Sequence, residues 1–333
     1  MCERKKILIV GMLDSVHLAR WLEIFKESPF DFVLFGTSPN RFVHQKITTL
    51  LQQTTGATYR LHSLSNTLSI PLYLVDKVLR NRLRGLILRS AIASYTPDIL
   101  HALELQGGGY VASIALGNKT IGTKPKFLVT NYGSDIYWFQ RFRRHARRIR
   151  QVLVKADAYA TECIRDYALA KEFGFAGEEL PLIPNSGGLP KTAIAAYSSE
   201  RRSTIAVKGY QGKFGRAVDV LRALYSLRGK LSGYTVKVIS AGLVTRTYVC
   251  YLRLKGGLDL RIFKKHALSH AEMLDLLRES EVFVGASTSD GISTSMLEAM
   301  SQGAFPIQSS SSCADEWFDQ GVSGLTYDYR SGE

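Results

Sequence analysis

The chain has 333 residues, enough for about two domains. Hydrophobic residues make up 45% and charged residues 22%, a globular balance that excludes a disordered, collagenous or disulfide-scaffold chain. The net charge is +14, and the first 200 residues hold 26 Lys and Arg against 16 acids, so the front of the chain is expected to face an anion.

The apolar run from Ile7 to Leu13 is too short to span a membrane and lacks a cleavage site. It reads instead as a buried strand over 7–10, ending at Gly11. Leu18, Trp21, Leu22 and Phe25 then recur at i, i+3, i+4 and i+7, one stripe of a helix. Strands follow at 31–36, 98–103 and 126–131. Over 186–203 the SGG turn, Pro190 and the SSERRS run break the periodicity.

The pattern then restarts. Strand 204–208 leads into a Gly-rich loop and a helix holding Leu221 and Leu224. Next come strand 235–240, a helix near 245–254 and strand 258–263. Ser269 and Glu272 form a capping box that opens a helix, followed by strand 282–285 and a helix near 294–302. Strands alternating with helices predict an α/β chain of two doubly wound, Rossmann-like domains, 1–190 and 200–333. Four scattered cysteines with no Cys-x-x-Cys pair read as reduced thiols, and no stretch reaches ~18 apolar residues. A soluble, cytoplasmic protein is expected.

Several chemistries are missing. There is no phosphate-loop motif, no nucleophile elbow and no H-E-x-x-H. No two aspartates lie two residues apart, so an Asp-x-Asp metal clamp is absent and no metal is expected. A diphosphate would have to be held by side-chain cations and backbone amides.

Residues 287–325 are the most informative stretch. Asp290 and Glu298 are eight apart across a Gly-containing loop and the start of a helix. Gly291 allows close backbone approach, and the amides of Ile292, Ser293 and Thr294 sit at the helix N-terminus, a ready anion site. Such a loop, following a strand at the carboxyl edge of an open sheet, is where ligands bind. Ser295-x-x-Glu298 is also the spacing of a capping box, so Glu298 has a purely structural alternative.

The run resembles the E-x7-E signature of glycosyltransferase family 4, the retaining GT-B enzymes, with Asp290 in place of the first glutamate. Ordered matches extend over nearly the whole chain: the strand–Gly11 loop–helix opening, PDILHAL, TNYGSD, ADAYATE, LIPNSGG, EAMSQGAFPI and GVSGL. The resemblance implies GT-B architecture, with two Rossmann-like domains facing across a cleft, an N-terminal acceptor domain and a C-terminal nucleotide-sugar domain. It implies that Glu298 binds the donor ribose, that Asp290 holds the transferred sugar, and that the amides after Gly291 bind sugar and phosphate. A basic pair in VKGYQGKFGRA would hold the diphosphate: Lys208 and Arg216, with Lys213 a close rival. Where many relatives place a sugar-contacting histidine, this chain has Tyr132, followed by Gly133, Ser134 and Asp135. Asp135 is left as the polar candidate there. Family members also continue past the position of Glu333 with a crossing helix, which this chain is expected to lack.

His17 and Arg20 lie one turn apart off the apolar stripe of the first helix, where surface polarity and acceptor binding explain them equally well. His145 and His270, in charged helical surroundings, read as surface residues without a role. Residues 141–150 hold six arginines, and Phe142, Ala146, Ile149 and Leu153 recur at helical spacing, which reads as a basic amphipathic helix. A second basic apolar stretch covers 77–89. No nucleic-acid module accompanies them, so an anionic membrane surface is the expected partner. The resulting expectation is a retaining, metal-independent hexosyltransferase, peripheral on the inner membrane face. It would use a UDP- or GDP-sugar and a saccharide or polyprenyl-diphosphate-linked acceptor in surface polysaccharide biosynthesis. The rival readings are a sugar-nucleotide epimerase on the same fold and a non-catalytic nucleotide-sugar-binding protein.

Overall fold

The run KKILIVG is apolar at successive positions because the strand it forms, β1 (Lys5–Gly11), is covered on both faces. In the computed structural model the described residues are 4–38, 42–53, 55–62, 69–117, 125–185, 187–189, 194 and 202–329. Pro190 and residues 198–201 of the interrupted stretch lie outside them, as does the chain end from 330. Two compact units are present, Met1–Gly188 and Leu189–Glu333.

In unit 1, α1 (Val16–Ile24) follows β1, then β2 (Phe30–Gly36), α2 (Gln45–Leu51), β3 (Thr58–Leu61), α3 (Ser69–Val78) and α4 (Arg82–Tyr95). β4 (Ile99–Leu103), α5 (Tyr110–Leu116), β5 (Lys126–Thr130), α6 (Arg143–Leu153), β6 (Ala158–Ala160), α7 (Ile164–Glu172) and β7 (Glu178–Glu179) complete it. The seven strands form one parallel sheet in the order β3-β2-β1-β4-β5-β6-β7. Apolar clusters on its two faces, one around Leu18, Leu22 and Phe32 and one around Leu100, Phe127 and Tyr159, make the doubly wound core.

Unit 2 repeats the scheme with β8 (Thr204–Lys208), α8 (Ala217–Ser226), β9 (Thr235–Ala241), α9 (Leu243–Lys255), β10 (Asp259–Lys264) and α10 (His270–Arg278). β11 (Ser280–Gly285), α11 (Thr294–Ser301), β12 (Phe305–Ser309) and β13 (Leu325–Tyr327) close it. Its six strands are parallel in the order β10-β9-β8-β11-β12-β13. Helices α8 and α9 cover one face, while α10 and α11 pack on the other through Leu277, Phe283 and Met296. In both units the order reverses beside the first strand, so the carboxyl ends of β1/β4 and β8/β11 are the topological switch points.

The arginine segment differs from its sequence reading in one respect. Ile149 and Leu153 of the expected stripe are buried in the unit 1 core, while Phe142 precedes the helix and is exposed. The apolar face of α6 is spent on folding, and what α6 offers to solvent is charge. The basic stretch 77–89 is divided between two helices. Arg80 and Asn81, both in the left-handed region, turn the chain between α3 and α4. Among the described residues no helix is long and apolar enough to cross a membrane.

Candidate functional site

In unit 2 two loops leave the neighbouring strands β8 and β11 and are bonded to each other. The Gly-rich loop 209–216 gives the Arg216 amide to Ala286 O at 3.0 Å and receives Thr288 N on Phe214 O at 2.8 Å, with a bridge between Gly215 and Ser287. Gly215 is needed here because a Cβ would stand 2.3 Å from Tyr210 O. A tract of serines after β12 supports the other loop. Ser309 Oγ accepts from Ser287 N at 2.9 Å, and the Asp290 amide donates to Ser311 O at 3.3 Å.

This scaffold brings several expected residues together. Lys208, at the end of β8, donates from Nζ to Ser293 Oγ at 3.0 Å and lies 3.6 Å from Asp290 Oδ2. Ser293 is the N-cap of α11, yet its hydroxyl makes no cap bond and serves Lys208 instead. Asp290 accepts the Gly291 amide at 3.1 Å, and Ile292 turns its side chain into the core. Thr294 opens α11. A cation, a carboxylate and a helix N-terminus thus share one sheet edge, an arrangement suited to an anionic ligand bearing hydroxyls.

Arg216 stands differently. Its guanidinium donates to Tyr329 OH at 2.8 Å and to the carbonyls of Gly212 and Gly215, while Tyr329 OH donates to Asp219 Oδ2 at 3.1 Å. It fixes the shape of the Gly-rich loop. The Lys213 ammonium lies over the Phe214 ring at 5.0 Å.

Glu298 is 2% exposed on α11, and its Oε1 is hydrogen-bonded to His270 Nε2 at 2.8 Å. The capping-box alternative does not hold, because α11 starts at Thr294 with Ser293 as cap and Ser295 already lies inside the helix. His270, read as a surface residue, is the partner of this carboxylate. It occupies the first position of α10, set there by the expected Ser269–Glu272 capping box. No spacing rule links residues 28 apart, so only the fold could reveal the pair.

In unit 1 the carboxyl edge gathers Gly11, His17 and Tyr132. Gly11 ends β1, and the His17 ring, on α1, is 6.1 Å from the Tyr132 ring that follows β5. The Tyr132 hydroxyl is buried with no hydrogen-bond partner among the described residues, and burial raises its pKa. Asp135 does not stand open to a sugar. It is 6% exposed, and its Oδ2 accepts the amides of Leu105 at 2.8 Å and Tyr132 at 3.1 Å. The carboxylate expected as a polar contact is therefore spent on backbone.

Sequence reasoning missed Glu104. It begins a wide π-helical turn, Glu104–Gly109, with a left-handed backbone (φ 77°) unusual for a non-glycine residue. The GGG run lets this turn press against β1: a Cβ on Gly108 would meet Val10 O at 2.3 Å. Burial, then the nearby charges of Asp135 and Asp14, push the Glu104 pKa up to about 8 against the pull of Arg84. Burial likewise raises Asp135 to about 7, its two amide bonds opposing.

The quoted motifs TNYGSD, ADAYATE and LIPNSGG also meet here. Asn131 Nδ2 donates to Asp166 Oδ2 at 2.7 Å, and the Asn185 amide donates to Glu162 Oε1 at 2.9 Å. Asn131, Glu162, Asp166 and Asn185 are all buried, so this network builds the edge from below.

Residues 6–164 match the family described as Glycosyl transferase 4-like. No curated protein matches the chain in sequence. Among solved structures, Anabaena HepE in complex with UDP is similar at 14% identity and a TM-score of 0.67, over 97% of this chain and 85% of that one. The lipopolysaccharide outer core galactosyltransferase WaaB, in its apo form, gives 12% identity and a TM-score of 0.65 over 98% and 87%. A putative UDP-N-acetylglucosamine 2-epimerase from Listeria monocytogenes gives 12% and 0.56 over 92% and 79%. At these identities the likeness establishes the fold, two parallel-sheet Rossmann-like units, and the family match supplies the class. Residues 6–164 are thus similar to the glycosyl transferase 4-like family, and the chain has the fold of the GT-B glycosyltransferases.

Proposed function

We propose that the protein moves a sugar from a UDP- or GDP-sugar to a saccharide or lipid-linked saccharide acceptor, with retention of configuration, in the synthesis of a surface polysaccharide. The observation that carries this reading is the convergence of Lys208, Asp290 and the Ser293 helix cap at one switch point. HepE, which has the same fold, was crystallised with UDP and with UDP-glucose, and WaaB is a galactosyltransferase.

In this reading Glu298 receives the ribose hydroxyls, Asp290 holds the sugar, and the amides of Ile292, Ser293 and Thr294 face the phosphate. Lys208 takes up the charge that grows on the departing nucleoside diphosphate. Arg216 keeps the Gly-rich loop in shape beside it, and Lys213 adds positive potential. With these cations in place no divalent metal is required. The leaving phosphate accepts the proton of the attacking acceptor hydroxyl, so no protein nucleophile is needed. Unit 1 takes the acceptor at Gly11, His17 and Tyr132, with Asp135 holding the backbone under it. The outward arginines of α6 attach unit 1 to an anionic membrane. Exposed Leu74, Val75, Val78 and Leu79 at the end of α3 support this, since Arg148 of α6 donates to Arg80 O at the same corner.

The test is incubation with UDP- and GDP-sugars and candidate acceptors, following free UDP or GDP and the anomeric configuration of the product. Acceptor-dependent release that survives excess chelator supports the reading. Conversion of the donor to an epimer would identify an epimerase instead. Binding without turnover in every pairing would leave a binding protein.

A further inference from the structure

Helix α9 is built inside out for a surface helix. Thr245, Val249 and Leu252 recur at i, i+4 and i+7 and are buried against the sheet, and Thr245 Oγ1 donates to Gly209 O at 2.9 Å. The opposite face should carry charge. Instead Leu243, Thr247, Cys250 and Leu254 follow one another at i, i+4, i+7 and i+11 along the middle of the outward face, with Val244 and Tyr251 beside them. Leu254 is 90% exposed, Leu243 75% and Val244 60%. Over 13 residues, ~20 Å of helix, this face has no charged side chain at its centre.

The charges lie at its margins and all have one sign. Arg246 and Arg253 flank one side and Lys255 the other, and α9 contains no acidic residue. The neighbouring edge strand adds exposed Lys264, in register with Ala241 of the cluster beneath α9. Tyr248 and Tyr251, with ring centroids 5.8 Å apart, lie on the flank next to Lys255. A second copy of this chain is a poor occupant, since two such faces would bring like charges together. A sheet of anionic headgroups over hydrocarbon satisfies every part: apolar centre, tyrosines at the boundary, cations at the rim.

We propose that α9 is a lipid-contacting surface, its Leu243–Leu254 face entering the headgroup boundary of an anionic leaflet while Arg246 and Lys255 engage the headgroups; the Arg253 guanidinium is held on Leu260 O. The proposal goes beyond the sugar-transfer reading and does not depend on it. It gives unit 2 a membrane contact of its own, apolar where that of α6 is electrostatic.

Cys250 supplies the reporter. Cys163 and Cys313 are buried, Cys250 is exposed, and Cys2, outside the described residues, is removed by Cys2→Ser. The full chain, labelled at Cys250 with an environment-sensitive fluorophore, is mixed with phosphatidylglycerol–phosphatidylcholine vesicles and with phosphatidylcholine vesicles. The expected result is a blue shift and loss of iodide quenching on the anionic vesicles alone. The triple variant Leu243→Ser, Val244→Ser, Leu254→Ser should keep its melting temperature and lose the response at least tenfold in vesicle affinity. A label that stays in water on anionic vesicles overturns the proposal, even where the protein co-sediments through α6. A concentration-dependent dimer that the triple variant dissociates, with no lipid response at Cys250, assigns the face to a second copy and also overturns it.

Discussion

Glu298 Oε1 and His270 Nε2 stand 2.8 Å apart, joining the middle of α11 to the first residue of α10. The pair fixes one carboxylate oxygen of a side chain that is almost fully enclosed. It gives Glu298 a single orientation, which a ribose ligand needs and a helix cap does not.

Glu298→Gln should therefore weaken nucleoside diphosphate binding by ~1.5–3 kcal/mol, because hydroxyls bond less strongly to an amide than to a carboxylate. The melting temperature should barely move, since glutamine can still meet His270. His270→Ala should produce a smaller loss of the same affinity. Titration calorimetry with UDP and GDP reads both. A Glu298→Gln variant that binds as the parent does removes Glu298 from the site.

Lys208→Met tests the other end of the ligand. It removes the bond to Ser293 and the charge beside Asp290. Affinity for a nucleoside diphosphate should fall by about 2 kcal/mol, the scale of a charged hydrogen bond, with free nucleoside affected little. Equal losses for UDP and uridine would mean that Lys208 only shapes the loop.

The buried acids of unit 1 predict a pH dependence of stability. The folded-state pKa values of Glu104 and Asp135 are raised to about 8 and about 7. The neutral carboxyls are thus preferred in the fold, and their contribution is complete below about pH 4 and is lost as pH rises toward 8. Denaturant unfolding should show the parent losing about 2 kcal/mol more between pH 5 and pH 8 than Asp135→Asn, which stays neutral and can still accept the Leu105 and Tyr132 amides. Parallel pH profiles for the two proteins would show that Asp135 is ionised in the fold.

Charge reversal on α6 tests the electrostatic contact alone. Arg143, Arg144 and Arg147 are exposed, and each basic residue near an anionic surface contributes ~1 kcal/mol. The triple Glu variant should lose co-sedimentation with phosphatidylglycerol vesicles at low salt, and added salt should release the parent in the same way. Unchanged co-sedimentation of the variant would reduce α6 to a solvated face.

Much of the fold was legible because burial on both faces writes itself into the chain as short apolar runs. β1, β2, β8, β9 and β11 each follow such a run. β6 and β7, of three and two residues, carry too little pattern to be seen. At the site, Lys208, Asp290 and Ser293 could be placed from loops and strand ends. The roles of Asp135 and His270 could not, because both depend on partners far along the chain. Asp135 accepts the Tyr132 amide three residues before it, but it is also buried and held by the Leu105 amide, 30 residues away. The arginine helix shows the same limit: its periodicity was readable, but which way the apolar stripe turned was decided by the sheet beneath it.

The hydrogen bonds between the Gly-rich loop and the segment 286–288 make them one mechanical part. A residue inserted between Gly209 and Arg216 is expected to shift the Gly215–Ser287 bridge and, with it, Asp290, disturbing both the sugar and the phosphate contacts proposed above. Grafting either one alone from a relative with a different loop length should spoil donor binding, and transplanting both should carry the relative's donor preference with them.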